Sequence, residues 1–353
     1  MCAEPLLGHG GPAQAGFLAL RSLVALPDFF IAGAPKAGTT ALHRALSRHP
    51  ALFLSSVKEP KFFLSPGVRP RRQTGPGDAH SAREWIWRQS RYEALFDGAP
   101  SGAQRGESTP FYLYDRAAPA RIARAVPRAR IVVVLRDPVD RAYSNWMHLW
   151  SDGLEPIADF EAACAAEDER IGAGFAPFWH YRRLGCYGEQ LERLFGLFPK
   201  EQVCIIHYRD LVHRPQQTLD IICGFLGVEP GLHLAVPHEN TRRLTRPGPG
   251  TSVLARLMRA GAALGAHAPP QVWRAASRPL LWALHRDGIP RPELPVAARR
   301  RLLAFYADDI IRLERVTDDS YSDWLVDHGR GAFPARAVSS RSRGRPSSPC
   351  PRG

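Results

Sequence analysis

Residues 29 to 40 read Phe-Phe-Ile-Ala-Gly-Ala-Pro-Lys-Ala-Gly-Thr-Thr, an apolar run followed by a loop between two glycines. The run at residues 29–32 predicts a buried strand, which the following glycine and proline end. In residues 39–47, Leu42 and Leu46 lie four residues apart, which predicts a helix. A strand, a glycine loop and a helix in this order form the unit in which backbone N–H groups hold an anion.

The same order recurs further along the chain. Residues 131–135 form a continuous run of branched apolar side chains, and the loop Arg136-Asp137-Pro138 and a predicted helix into Trp146 follow it. A third apolar strand at residues 203–206 comes after an amphipathic helix. Continuous apolar strands that alternate with helices are typical of a parallel sheet covered on both faces.

The first loop has the G-x-x-x-x-G spacing of a nucleoside-triphosphate P-loop, but Thr39 stands where that motif requires lysine. The lysine is Lys36, in the middle of the loop, where its ammonium would meet a different phosphate atom. A glycine turn with an exposed lysine is the alternative, and the coincidence of strand, loop and helix favours an anion site. We therefore predict an α/β fold of three layers, P-loop-like, with a central parallel β-sheet flanked by helices. A final helix is predicted near residues 297–315, and no element is assigned within 241–295.

The composition indicates a globular chain with a basic end. Of 353 residues, 44% are hydrophobic and 23% are charged. Six arginines and no acidic residue lie in 330–353, which leaves +7 of the net charge of +13 for the rest. We predict a loosely ordered leader at 1–25, one domain at 26–329 and a basic disordered tail at 330–353.

Cysteine and lysine usage add two expectations. The six cysteines are scattered without a C-x-x-C pair, which argues against a zinc site or a disulfide framework and favours a cytoplasmic location. No apolar run is long enough to span a bilayer, so we expect no transmembrane segment and leave a peripheral membrane contact open. The chain has 43 arginines but four lysines, of which Lys36, Lys58 and Lys61 lie within 26 residues. Lysine in a chain that otherwise uses arginine indicates a position that needs a compact point charge, which a planar guanidinium does not supply.

At this point the sequence resembles a known family, the sulfotransferases that use 3′-phosphoadenosine 5′-phosphosulfate. Residues 35–40 resemble the family's 5′-phosphosulfate loop, and residues 136–144, Arg-Asp-Pro-Val-Asp-Arg-Ala-Tyr-Ser, resemble its 3′-phosphate site. Further similar segments occur in the expected order across roughly residues 28 to 326, among them 58–63, 107–110, 185–187, 208–211, 225–227 and 321–325. The resemblance is to the branch of heparan-sulfate-type and bacterial carbohydrate sulfotransferases.

The resemblance implies roles for individual residues. Lys36 would be the catalytic cation at the leaving phosphate oxygen, and Glu59 the general base that deprotonates the acceptor. Arg136 and Ser144 would bind the 3′-phosphate. The residues that would give backbone or hydroxyl donors to the 5′-phosphate are Ala37, Gly38, Thr39 and Thr40. No metal is expected, because a sulfuryl group is formally neutral whereas a phosphoryl group is not.

Alternatives remain beside these roles. Glu59 is otherwise a loop carboxylate paired with Lys58 or Lys61. Some relatives carry histidine where this chain has Lys61. Arg136 is otherwise a strand-end ion pair to Asp137 or Asp140. The weaker candidates for nucleotide contacts are Tyr187, Arg242, Arg243 and Arg246, and those for sugar stacking are Trp85, Trp87, Trp146, Trp150 and Trp179.

Three functions follow from the sequence. The first is transfer of a sulfuryl group from the nucleotide donor to a hydroxyl or amine of an acceptor, a carbohydrate or a glycolipid. The second is a P-loop nucleotide kinase or hydrolase, against which the displaced lysine counts. The third is a basic nucleic-acid-binding protein, which ranks last because no base-reading motif accompanies the charge.

Overall fold

A five-stranded parallel sheet organises the chain in the computed structural model, which describes residues 26–236, 244–264 and 270–325. Its strand order is β2-β3-β1-β4-β5, so β1 lies at the centre. The strands are β1 Phe29–Gly33, β2 Leu52–Leu54, β3 Gln104–Ser108, β4 Arg130–Leu135 and β5 Val203–His207. Every pair of neighbouring strands is parallel.

Helices connect these strands and extend beyond the last one. They are α1 Thr39–Leu46, α2 Asp78–Arg83, α3 Gln89–Glu93, α4 Ala118–Ala125, α5 Pro138–Ser151, α6 Phe160–Ala165, α7 Glu167–Gly172, α8 Tyr187–Phe195, α9 Tyr208–His213, α10 Pro215–Leu226, α11 Pro249–Leu264, α12 Pro270–Arg286 and α13 Val296–Thr317. Within the described ranges, none of them has the length and apolar character to cross a bilayer.

The centre of the sheet is covered on both faces. All five residues of β1 are buried, and so are the last five of β4, although successive side chains point to opposite faces. Helices must therefore pack on each face, as the continuous apolar pattern predicts. The predicted α/β class with a central parallel sheet flanked by helices is confirmed.

Two strands were not predicted from the sequence, because β2 is too short and β3 is polar. β2 has only three residues, and β3 reads Gln-Arg-Gly-Glu-Ser. Gly106 is required there by close approach, because an added Cβ would lie 2.1 Å from the ring of Phe29. Glu107 is fully buried, and hydroxyl groups satisfy its carboxylate instead of water.

The stretch that sequence analysis left unassigned contains α11 and α12, which contact each other. The predicted final helix is present as α13 and runs slightly longer than expected. The predicted leader at 1–25, the predicted tail at 330–353 and residues 326–329 of the predicted domain lie outside the described residues.

A buried ion pair between Arg170 and Glu155 anchors the segment that contains Trp179 and Tyr181. Both guanidinium nitrogens of Arg170 contact the carboxylate of Glu155, at 2.9 and 2.7 Å. The hydroxyl of Tyr181 donates to the same carboxylate at 2.6 Å, and the Arg170 guanidinium lies 5.1 Å from the ring centroid of Trp179. Glu155 has no exposed surface, so these partners satisfy its carboxylate inside the protein.

We expect Arg170→Met to lower the free energy of unfolding by about 3–5 kcal/mol, because it leaves the Glu155 carboxylate buried without its partner. Urea denaturation measures the loss. The matched control is Arg301→Met, since Arg301 also donates from two guanidinium nitrogens, Nε and Nη2, to both oxygens of one carboxylate, that of Glu161, but on the exposed surface. Equal losses of unfolding free energy in the two variants would show that burial does not increase the cost of breaking the Arg170–Glu155 pair.

Candidate active site

The loop between β1 and α1 lies at the carboxyl edge of the sheet, where parallel α/β folds place their ligands. Lys36 and Gly38 both have left-handed backbone, with φ of 68° and 82°. Gly38 is also held by close approach, because an added Cβ would lie 3.0 Å from the ring of Tyr208. α1 begins directly afterwards at Thr39, and its first N–H groups have no partner within the helix. The local geometry is that of an anion cradle.

This cradle opens into a cavity of about 540 Å³. The cavity is lined by the loop between β1 and α1, by residues 59–64, by α2 and by the segment 176–179. Its charged and aromatic lining side chains include Lys36, Glu59, Lys61, Trp85, His148 and Trp179. A cavity of this size with a few converging charges has the character of a small-ligand site.

Lys36 is held by a histidine that sequence analysis did not select. The Lys36 ammonium lies 3.4 Å from Nδ1 of His148, whose Nε2 lies 3.7 Å from Oδ2 of Asp152. His148 follows Ser144 by one helical turn on α5, so the two side chains share a face. This i, i+4 spacing from Ser144, a predicted site residue, is the sequence feature that could have identified His148. A single histidine on a helix carries no spacing signal of its own.

Glu59 lies close to three lysines. Its backbone N–H donates to the carbonyl of Ser108 at 2.9 Å, which pins it to the end of β3. The Lys58 ammonium contacts Glu59 Oε1 at 2.5 Å, so the ion pair considered as an alternative is present. Burial acts to raise the pKa of Glu59, but the positive charges of Lys58, Lys61 and Lys36 outweigh it and hold that pKa below the ordinary value. The carboxylate is therefore ionised at neutral pH.

Lys61 forms the far wall of the cavity. Its ammonium donates to the hydroxyl of Ser81 on α2 at 3.1 Å and lies 5.7 and 5.8 Å from the ring centroids of Trp85 and Phe111. Burial lowers the pKa of Lys61, although nearby carboxylates, first of all Glu59, act against that shift. The structure thus brings together the three lysines that the composition singled out.

A buried carboxyl group supports this wall from behind. Glu107 accepts hydrogen bonds from the hydroxyls of Tyr92 and Tyr112 at 2.8 and 2.7 Å, and from Thr109 at 2.9 Å. Burial raises its pKa to about 7, although the three hydroxyl donors act in the opposite direction. The Thr109 hydroxyl in turn accepts from the backbone N–H of Lys61 at 3.2 Å. Glu107 therefore positions the backbone that carries Lys61.

Arg136 links the phosphate loop to a second recess. Its guanidinium donates to the carbonyl of Lys36 at 3.1 Å and lies 4.8 Å from the ring centroid of Tyr208. A recess of about 340 Å³ between the ends of β4 and β5 and the start of α13 includes both residues in its lining. The carboxylates considered as alternative partners are engaged elsewhere: Asp137 pairs with Arg299, and Asp140 lies 3.4 Å from Arg291.

The remaining predicted residues differ in placement. Gly38, Thr39 and Thr40 line the cavity, whereas Ala37 is fully buried and its N–H donates to the carbonyl of Ala34 at 3.2 Å. The geometry therefore gives Ala37 no donor for a ligand. Ser144 is half-buried on α5, with no hydrogen bond to Arg136 among the described residues.

The weaker candidates separate in the same way. Trp85 and Trp179 line the cavity, and Trp87 lies on a neighbouring recess. The indoles of Trp146 and Trp150 stack on each other and donate to backbone carbonyls, so they belong to the packing. Tyr187 is buried, and Arg246 is exposed and away from the cavity. Arg242 and Arg243 lie outside the described residues.

Comparisons with known proteins identify relatives of this chain. A model of the Sulfotransferase family matches residues 27–230. Bifunctional heparan sulfate N-deacetylase/N-sulfotransferase 2 of Homo sapiens is 31% identical over 219 residues, which cover 59% of this chain and 23% of that protein. Heparan sulfate glucosamine 3-O-sulfotransferase 3A1 of Mus musculus is 30% identical over 220 residues, covering 62% and 50%. The chain thus spans half or less of the length of these relatives.

A solved structure extends the similarity over the whole fold. The crystal structure of a sulfotransferase from Alicyclobacillus acidocaldarius superposes with a TM-score of 0.65 at 32% identity, covering 86% of this chain and 100% of that chain. The family match itself covers more than half of the residues and includes the phosphate loop, Glu59 and Arg136. On these matches, the chain belongs to the sulfotransferase family.

Proposed function

We propose that this protein transfers a sulfuryl group from 3′-phosphoadenosine 5′-phosphosulfate to a hydroxyl or amine of an acceptor. The observation that carries the proposal is the meeting of Lys36, the start of α1 and Glu59 at one cavity. Lys36 and the N–H groups of α1 supply positive charge for a 5′-phosphate, and Glu59 supplies an ionised carboxylate opposite them. Arg136, beside the second recess, is suited to a second phosphate.

The reaction follows from these placements. The acceptor oxygen or nitrogen forms a bond to sulfur while the bond between sulfur and the 5′-phosphate oxygen breaks. The acceptor's proton passes to the carboxylate of Glu59, and the leaving phosphate oxygen receives the hydrogen bond of the Lys36 ammonium. His148 holds that ammonium in the cavity through Nδ1. Lys58 contacts Oε1 of Glu59, which leaves Oε2 as the oxygen that accepts the proton.

The acceptor belongs to the same proposal. We infer a carbohydrate or glycolipid, because the relatives named above act on heparan sulfate and because Trp85 and Trp179 line the cavity with flat faces suited to sugar rings. A cytoplasmic location is proposed with it, on the scattered cysteine pattern of the sequence.

Two measurements test the function directly. Labelled donor incubated with a panel of glycans and glycolipids should give a labelled product together with adenosine 3′,5′-bisphosphate. A thermal-shift comparison should show stabilisation by adenosine 3′,5′-bisphosphate, since a ligand that binds the folded state raises the midpoint. Stabilisation by ATP with magnesium but not by the bisphosphate would overturn the proposal in favour of a kinase or hydrolase.

Lys36→Ala should reduce turnover about a hundredfold, because removal of a contact that is stronger in the transition state costs on the order of 3 kcal/mol. Donor affinity should fall much less. Single-turnover rates and calorimetric titration with the bisphosphate separate the two effects. Lys200→Ala is the matched control, since Lys200 is the one lysine far from this cluster in sequence and lies beside Phe195. Unchanged turnover with weak donor binding would assign Lys36 to ground-state binding.

Arg136→Ala should weaken binding of adenosine 3′,5′-bisphosphate and erase its preference over adenosine 5′-monophosphate, because the 3′-phosphate loses a charge-assisted donor pair. Calorimetry with both nucleotides measures the preference. Arg128→Ala, an exposed arginine before β4, serves as the control. A preference equal to that of the wild type would remove Arg136 from the 3′-phosphate site.

Glu59→Gln should leave donor binding intact and cut turnover by about two to four orders of magnitude, the usual range for loss of a general base. The wild type should lose activity only as the pH falls below the ordinary glutamate pKa of 4.5, because the lysines depress the pKa of Glu59. The residual activity of Glu59→Gln should lack this acid limb. Glu201→Gln, on the exposed loop before β5, is the control. Full turnover of Glu59→Gln on a hydroxyl acceptor would place the base elsewhere.

A further inference from the structure

Helices α11 and α12 carry apolar side chains on two opposite faces. The inward side chains are Met258 and Ala262 on α11 and Ser277 and Leu284 on α12, all nearly inaccessible. The outward apolar side chains are Val253, Leu257, Leu264, Val272 and Trp282, each more than half exposed. At 100° per residue, Val272 and Trp282 lie symmetrically about the direction opposite Ser277. The outward side chains are therefore not the margin of the buried face.

This concentration is unusual within the protein. Fifteen large apolar side chains are exposed in the described part of the chain, and five of them lie on these two helices of 16 and 17 residues. A helix that is apolar on both faces is normally covered on both. We call the outward side of α11 and α12, with Val253, Leu257, Leu264, Val272 and Trp282, the outer face.

The charge around the outer face has one sign. Residues 249–286 contain five arginines and no aspartate or glutamate. Arg256, Arg278 and Arg286 are exposed, and the acidic neighbour at the helix end, Asp287, lies 3.2 Å from Arg286. Arg259 points inward and donates to the carbonyl of Gly153 at 3.0 Å. The outer face thus consists of apolar side chains, among them the indole of Trp282, with exposed arginines around them.

The two helices are fixed to the body of the protein, so the outer face has a defined direction. The ring of Trp273 stacks on His80 of α2 with centroids 4.7 Å apart. His285 Nε2 lies 3.2 Å from Oδ1 of Asp152, next to the end of α5. These contacts lie on the inner face, and in the described part of the chain the five apolar side chains of the outer face stay more than half exposed.

We propose that the outer face of α11 and α12 docks on an anionic lipid bilayer. Apolar side chains with a tryptophan, bordered by arginines, are the composition of helices that lie in the membrane interface, where both burial and attraction to anionic headgroups contribute. A second copy of the chain fits less well, because a twofold contact would bring the same arginines together. This binding is independent of the proposed transfer reaction.

The test measures flotation of the full chain with phosphatidylcholine vesicles, prepared with and without phosphatidylglycerol. The wild type should bind the anionic vesicles, and salt should weaken the binding. L257S/W282S should lower the partition about tenfold or more, and R256Q/R278Q about fivefold for each arginine removed. The thermal midpoints should stay at the wild-type value, since all four side chains are exposed.

Matched controls lie elsewhere on the surface. V212S/I311S removes two exposed apolar side chains, and R128Q/R315Q removes two exposed arginines. Both should bind vesicles as the wild type does. The basic stretch 330–353 is present in every variant, so binding that survives in the outer-face variants would overturn the proposal. Failure to bind either vesicle would also overturn it, as would a concentration-dependent dimer in sedimentation that L257S/W282S abolishes.

Discussion

The left-handed backbone at Lys36 and Gly38 is the constraint on which the site depends. A positive φ at a non-glycine residue costs of order 1–3 kcal/mol and persists only where neighbours fix it. Here the N–H of Ala34 donates to the carbonyl of Val134 on β4 at 2.8 Å, and Arg136 holds the carbonyl of Lys36. The loop between β1 and α1 is therefore fixed by β4 and by Arg136, which follows β4.

The second requirement is charge in a confined space. Lys36, Lys61 and the ionised carboxylate of Glu59 line the cavity, and Lys58 contacts that carboxylate. Burial alone would shift the pKa of Glu59 and of Lys61 toward the neutral form. The lysines keep Glu59 ionised, while Glu59 offsets the effect of burial on Lys61. Removal of one charge therefore changes the pKa values of the neighbouring groups. The effects of substitutions in this cluster on activity and stability are for this reason not additive.

Sequence patterns could predict the parts of the fold with buried apolar strands and periodic helices. β1, β4, β5 and α13 follow from such runs, whereas β3 could not, because its burial depends on Gly106 beneath a ring and on Glu107 among hydroxyl groups. Residues 35–40 and 136–144 are each a continuous stretch behind a predicted strand, so the sequence alone could select them as candidate phosphate sites.

Other site features arise only from folding. His148 reaches Lys36 from a separate helix, across 112 positions of sequence. Sequence alone also could not separate Trp85 and Trp179, which line the cavity, from Trp146 and Trp150, which stack on each other. Their aromatic character is the same, and only the direction of the side chain differs.

The two glutamates at this wall respond to acid in opposite ways. Between pH 4.5 and about 7, the folded protein holds a proton on Glu107 that the unfolded chain releases, so the contribution of this group to stability falls as the pH rises through that window. Glu59, with its depressed pKa, stays ionised over the same range. Mild acidification therefore strengthens the fold behind the cavity while the carboxylate inside it keeps its charge, and the optimum for stability lies on the acid side of neutrality for this pair of groups.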